Sequence, residues 1–217
     1  MESMKSKAMI CGGLLLIAAA LCLVAYNLWD ARRAADSVKG LVQDLEVQTG
    51  VVTSDPNMAD FSYQPERETP AYILDPTMEM PTIALDGNEY IGTLEIPDLE
   101  LSLPVMSEWS DPKLKLAPCR YTGSVYLNDL IVAAHNYPAH FGALSSLEQG
   151  AVVMFTDVMG NVFLYTVSEV EQLSSTALEE MESGDWDLTL FTCTVGGRAR
   201  LTVRCVQTGD VPSSSWH

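Results

Sequence analysis

Hydrophobic and polar positions divide this chain into three regimes. From Ala8 to Leu28 no residue is charged and Asn27 alone is strongly polar. That run is long enough to cross a hydrocarbon core of about 30 Å at about 1.5 Å per residue. Between Asp30 and Gln48, Val38, Leu41, Val42 and Leu45 recur at i, i+3, i+4 and i+7, which predicts an amphipathic helix running on from the apolar span. From Thr49 to about Asn88 periodicity dissolves. Pro56, Pro65, Pro70, Pro76 and Pro81 stand among many acidic residues there, the composition of an extended linker. Past Tyr90 the pattern becomes short β-rich runs separated by turn residues: Ile91–Pro97, Leu101–Val105, Leu130–His135, Ala151–Thr156, Asn161–Leu173, Leu188–Thr192 and Leu201–Val206. Trp109–Leu116 reads as a turn or short helix, Phe141–Gln149 as a short helix ended by Gly150, and Thr176–Ser183 as one or two helical turns. Seven or eight short strands with few helices predict a closed barrel or a sandwich. The expected organisation is residues 1–29 as an N-terminal tip and membrane segment, 30–89 as juxtamembrane helix and linker, 90–210 as a mainly β domain, and 211–217 as a loose tail.

A cleaved signal peptide is the alternative for the first segment. Its apolar run exceeds the roughly 7–15 residues usual in such peptides, and Ala18–Ala20 lies inside the run rather than at its end, so an uncleaved anchor is expected. Leu21, bulky and directly before Cys22, argues against a lipoprotein cleavage site. Arg32 and Arg33 on one flank balance Lys5 and Lys7 on the other, so the flanking charges leave orientation open. Trp29 follows where an interfacial aromatic would sit.

The formal net charge is −17, and Glu2 alone among the 29 acidic residues precedes residue 30. A domain so acidic repels nucleic acid, which excludes that class of partner. Five cysteines do not make a disulfide framework for a chain of this size. Cys11 and Cys22 belong to the apolar segment. Cys119 and Cys205 can pair or be two separate buried thiols, and either way Cys193 is left over.

Chemistry concentrates in Asp187–Arg204. A β-run ends at Cys193, a Gly-Gly turn follows, and a second run begins just after Arg200, so adjacent strands would hold a thiol and a guanidinium together on rigid backbone. A thiol with a pKa of about 8.5 needs a base to act as a nucleophile near neutrality. With His217 at the terminus, His135 and His140 are the candidates. Pro138 between them, and no third ligand at metal spacing, argue against a metal site.

These segments resemble the sortases, cysteine transpeptidases of Gram-positive cell surfaces. Thr189-Leu190-Phe191-Thr192-Cys193 is similar to the family's Thr-Leu-x-Thr-Cys signature. Leu130–Asn136 is similar to the strand ending in the catalytic histidine, and Arg200-Leu-Thr-Val-Arg204 to the last strand, which opens with the catalytic arginine. The order His, Cys, Arg is the family order, and the resemblance covers about Tyr90–Gln207. It implies a closed eight-stranded β-barrel with short helices behind an N-terminal transmembrane helix and linker. It further implies catalytic roles for His135, Cys193 and Arg200, with Thr192, Thr194, Asn136 and His140 as substrate-binding or oxyanion candidates, the backbone N–H of Thr194 among the latter. Arg204, on the same strand face as Arg200, is expected to be structural, and Arg198 solvated.

The implied reaction cleaves a C-terminal sorting signal similar to Leu-Pro-x-Thr-Gly through a Cys thioester. The secreted protein bearing that signal is then passed to an amine of a peptidoglycan precursor or a pilin, at the outer face of the cell membrane. No cofactor is implied. The acidic run Glu179, Glu180, Glu182, Asp185 and Asp187 is either a solvated loop or a calcium site like that before the catalytic strand in some class A sortases. Class stays open. Ala134-His135-Asn136 is B-like, the long class B helix is missing, and the Thr-Cys-Thr and Arg-Leu-x-Val-Arg elements are similar to classes C and D. Asp55-Pro56-Asn57 resembles the lid of pilin-polymerising sortases only superficially. Two rivals remain. A cell-wall cysteine peptidase or amidase would, if papain-like, place Cys before His. A non-catalytic surface adhesin would leave Cys193 buried and replaceable.

Overall fold

The computed structural model describes residues 2–49, 69–194 and 196–211. The Asp55-Pro56-Asn57 segment, the stretch 50–68 of the predicted linker and the tail beyond Val211 lie outside the described residues.

The apolar span and the amphipathic segment form one helix, α1 (Glu2–Thr49). Leu14, Leu15, Leu16, Ile17, Leu21, Leu23 and Val24 are all exposed along it. Among the described residues it is the one helix long and apolar enough to cross a membrane. Further on, Ala34, Val38, Leu41 and Leu45 are buried; Leu41 and Leu45 pack with Leu85, Tyr90, Met106, Ala117 and Cys119 of the β domain, and Val38 joins the main core. The expected apolar stripe is therefore a docking face, with Ala34 added one turn upstream.

The chain after the linker begins earlier than expected. A one-turn helix, α2 (Ala71–Leu74), and strand β1 (Ile83–Leu85) precede the predicted start at Tyr90. Tyr72 anchors this lead-in: its ring stacks on Tyr126 at 4.8 Å and its hydroxyl donates to Asp210 at 2.9 Å.

The sheet continues through β2 (Asn88–Ile96), β3 (Leu101–Met106), β4 (Cys119–Thr122), β5 (Leu130–Ala133), β6 (Val152–Asp157), β7 (Val162–Ser174), β8 (Leu188–Cys193) and β9 (Ala199–Val211). Strand order is β1-β2-β3-β4-β5-β8-β9-β7-β6, and β2 also pairs with β6, closing a ring of eight strands from β2 to β9 with β1 as an appendage. The expected eight-stranded barrel is the observed one. Closure leaves no long free edge, which is how a small β domain avoids edge-to-edge association. Inside, Leu94, Ile96, Leu103, Val105, Leu130, Val132, Phe155, Phe163, Leu188, Leu190 and Val203 form the core. The seam between β3 and β4 is a single parallel bridge, Met106 to Cys119, and both of these residues are fully buried.

Some local expectations need correction. Residues 141–149 hold a three-residue 3-10 turn (Leu144–Ser146) rather than a helix, and the strand before His135 stops at Ala133. The last strand runs on to Val211 because β7 pairs with it over its whole length. The regions 109–116 and 176–183 carry short helices, α3 (Asp111–Leu114) and α4 (Leu178–Glu182), as expected. Cys119 and Cys205 are separate buried free thiols.

Candidate active site

Alternation along β8 sorts its side chains. Leu188, Leu190 and Thr192 point into the barrel, and Thr189, Phe191 and Cys193 point out. Across the antiparallel ladder Cys193 is the register partner of Arg200, so the two Cβ atoms stand about 5 Å apart on the outer face. The turn joining the strands uses Gly196 and Gly197 at φ 85° and 69°, a left-handed pair that residues with a Cβ rarely adopt. Thr194 closes that turn. Its N–H donates to Ala199 O at 3.0 Å, and its hydroxyl oxygen accepts the Ala199 N–H at 3.1 Å.

On the other side β5 runs parallel to β8, with Ala133 opposite Phe191. The Ala134 N–H extends the ladder to Phe191 O at 3.1 Å. His135 lies two residues past Ala133, as Cys193 lies two past Phe191, so His135, Cys193 and Arg200 stand at the ends of three neighbouring strands. Backbone bonds brace the loop after His135: Phe141 N–H to His135 O at 3.1 Å and Gly142 N–H to Tyr137 O at 2.9 Å. A Cβ at Gly142 would come within 2.7 Å of Tyr137 O, so glycine lets the loop close this tightly.

His135 is half-buried, and its buried Nε2 has no hydrogen-bond partner. Burial, with Lys115 as a second cause, lowers its pKa from the ordinary histidine value, while Asp30 and Asp111 pull the other way. A neutral imidazole is favoured, the form that can accept a proton. Burial pushes the thiols of Cys119 and Cys205 up to about 12, so neither competes with the partly exposed Cys193.

The remaining candidates divide. Asn136 is exposed beside His135. Thr192 is buried facing the core, and His140 is 0% exposed, so neither can line a substrate surface. The N–H of Thr194, read from sequence as an oxyanion donor, is already committed to Ala199, because the Gly-Gly turn folds back on it. Arg198 is exposed. Arg204 is buried and holds α4 in place. It contacts the Glu171 carboxylate at 2.9 Å and donates to Met181 O at 2.8 Å, Glu180 O at 2.6 Å and Thr189 Oγ1 at 3.1 Å.

Sequence reading missed Tyr121, on β4. Its ring meets Phe191 edge-on at 5.4 Å and Trp109 at 5.9 Å, extending an aromatic surface away from Cys193. It also missed Tyr137, packed on His135 at 5.0 Å, and Asp30 of α1, which accepts the Tyr137 hydroxyl at 2.6 Å. Tyr137 follows directly on the Leu130–Asn136 segment, but no local signal brings α1 to it.

Residues 94–208 match the family model for the sortase domain, which covers all three strand ends of the site. The fold is similar to sortase C1 from Streptococcus agalactiae, at 24% identity and TM-score 0.50 over 58% of this chain and 71% of that one. It is also similar to a Clostridium perfringens sortase D5 transpeptidase, at 19% identity and TM-score 0.51 over 56% and 81%. Listeria monocytogenes sortase A gives 17% identity and TM-score 0.51 over 57% and 90%. No curated protein matches the chain. With its domain model spanning more than half the sequence and both flanks of the site, this chain belongs to the sortase family.

Proposed function

We propose that the protein is a membrane-anchored sortase that cleaves a C-terminal sorting signal similar to Leu-Pro-x-Thr-Gly and passes the acyl group to an amine. The observation that carries this reading is the pairing of Cys193 with Arg200, with His135 at the matching position on the parallel neighbour β5. The signal peptide lies extended on the outer face, along the aromatic surface of Tyr121 and Phe191. Residues 90–210, with the lead-in from residue 70, form the catalytic unit. Residues 1–29 anchor it, with Met1–Lys7 in the cytoplasm and the barrel outside.

In the reaction Cys193 Sγ attacks the Thr carbonyl carbon of the signal while His135, neutral at rest, takes the thiol proton. The carbonyl oxygen gains negative charge, and the Arg200 guanidinium stabilises it with directed hydrogen bonds. As the C–N bond breaks, imidazolium protonates the departing glycine amine and leaves a thioester on Cys193. An acceptor amine then attacks the thioester carbonyl and gives a proton to His135; as the C–S bond breaks the imidazolium returns that proton to the Cys193 sulfur, and the new amide is released. The acceptor is a peptidoglycan cross-bridge or stem-peptide amine, or a pilin lysine. No step calls for a metal or cofactor.

The test is incubation of the protein with a library of sorting-signal peptides and an amine, with products read by mass spectrometry. Cleavage between Thr and the following residue with amide formation to the amine is expected. Cleavage to free acid alone, unaffected by amine, would identify a peptidase instead. No cleavage, with Cys193→Ala indistinguishable from wild type, would fit the non-catalytic domain.

A further inference from the structure

This inference rests on His135 being the catalytic base. Asp30 is the first charged residue after the apolar span of α1, and its carboxylate is turned toward the barrel with 19% of the side chain exposed. One oxygen accepts the Tyr137 hydroxyl at 2.6 Å, and the other lies 3.3 Å from the Arg33 guanidinium. Arg33 in turn sits 5.6 Å over the Trp29 ring. Tyr137 stands between the two histidines, its ring centroid 5.0 Å from His135 and 5.4 Å from His140. A continuous set of contacts therefore runs from the end of the apolar span to the imidazole of the site.

We propose that Asp30 is a positioning residue for His135: by holding Tyr137 it fixes the His135 loop against α1, so the anchor helix sets the geometry of the reacting pair. The Tyr137 hydroxyl has a carboxylate partner 107 positions away in sequence, which local loop packing does not require. The same α1 face continues into the buried Ala34 and Val38, so helix and loop are docked at two adjacent points. Catalysis is coupled in this way to an anchored α1.

Several groups face the histidine. Asp30 comes from α1 with Arg33 beside it. Asp111 and Lys115 come from α3 and the residues after it, and Tyr137 and His140 from its own loop, while Cys193 and Arg200 stand at the ends of the neighbouring strands β8 and β9. Of these, Lys115 disfavours the imidazolium while Asp30 and Asp111 favour it. Removing the Asp30 charge therefore moves the His135 titration to lower pH.

The test uses the full-length protein in detergent micelles with carbon-13-labelled histidine, following the imidazole signals against pH beside steady-state peptide transfer. The chain has only three histidines, so assignment by single substitution is direct. Asp30→Asn should lower the His135 midpoint and lower kcat about five-fold with KM little changed, as expected of a misplaced catalytic group. Asp30→Glu should restore most of both. Tyr137→Phe should lower kcat to a similar degree, and the double variant Asp30→Asn/Tyr137→Phe should lose no more kcat than Asp30→Asn alone, the non-additivity of residues acting in series. Asp36→Asn, exposed on the same helix, should change nothing. An Asp30→Asn protein with His135 midpoint and kcat both unchanged, beside an active wild type, would overturn the proposal and leave the sortase mechanism standing. A wild type without Cys193-dependent turnover would overturn the catalytic reading instead. The histidine titration would still report whether Asp30 and His135 are coupled.

Discussion

Two arginines on one face of β9, Arg200 and Arg204, should respond to substitution in opposite ways, and this follows from their surroundings. Arg204 is 2% exposed and bonds the Glu171 carboxylate, two backbone carbonyls and the Thr189 hydroxyl. Arg204→Met keeps much of the aliphatic packing but strands all four partners. Breaking a fully buried ion pair from one side costs about 3–5 kcal/mol, but the Glu171 side chain is 29% exposed and can recruit water, so its share is the lower part of that range. The α4 carbonyls can also reach solvent if α4 swings away. A net loss of about 3 kcal/mol follows, read as a fall of about 10 °C in Tm for a domain of this size. Arg204→Lys keeps the charge without the planar fork and should lose about half as much. Arg200 has no comparable set of partners and sits at the open strand end. Arg200→Lys should leave Tm within about 1 °C while lowering kcat about 100-fold or more, the order seen when an oxyanion donor is removed. Thermal unfolding followed by near-ultraviolet circular dichroism, beside peptide-transfer kinetics, separates the two. A normal Tm for Arg204→Met, or an Arg200→Lys protein that unfolds early and retains its rate once folded, would refute the assignment.

Other expectations follow from the same geometry. Cys193→Ala should abolish transfer with the fold intact, whereas Cys119→Ala and Cys205→Ala should keep measurable activity, since both thiols are buried and held near pKa 12; equal loss in all three would contradict this. His140 is fully buried and its pKa is pushed down to about 4, below the unfolded value of about 6.5. Stability is therefore lost as pH falls from about 6.5 toward 4, by at most about 3 kcal/mol, and a pH series of melts should show a shallower loss for His140→Phe. Chelation of divalent ions should leave the transfer rate unchanged; a rate restored by added calcium would revive the calcium reading of the Glu179–Asp187 loop. A protein beginning near residue 70 should fold but turn over several-fold more slowly than the full chain, because it lacks the α1 contact to Tyr137.

The barrel was legible because seven of its strands are short β-rich runs bounded by turn residues, and β8 and β9 were placed by a thiol and an arginine flanking a glycine turn. Strand β4 was not, because Cys119-Arg-Tyr-Thr is four residues with mixed exposure and earns its place through tertiary pairing with β5. Strand β1 was hidden among prolines and exists by pairing with β2. At the site, the order of residues pointed to His135, Cys193 and Arg200, but side-chain direction decided the supporting cast. Thr192 shares the parity of Leu188 and Leu190 and so faces the core, and His140 folds under Tyr137. Asp30 could not be foreseen, since a contact across 107 positions is set by where α1 docks and not by any local pattern.

The central claim is that Cys193 is a nucleophile that becomes acylated. Its most direct test is the intact mass of the protein, quenched in acid shortly after mixing with a sorting-signal peptide in the absence of amine. The account predicts an adduct equal to the acyl portion of the peptide, mapped to Cys193, removed by hydroxylamine and absent in Cys193→Ala. Peptide cleavage that proceeds with no adduct on Cys193, or that persists in Cys193→Ala, would contradict it.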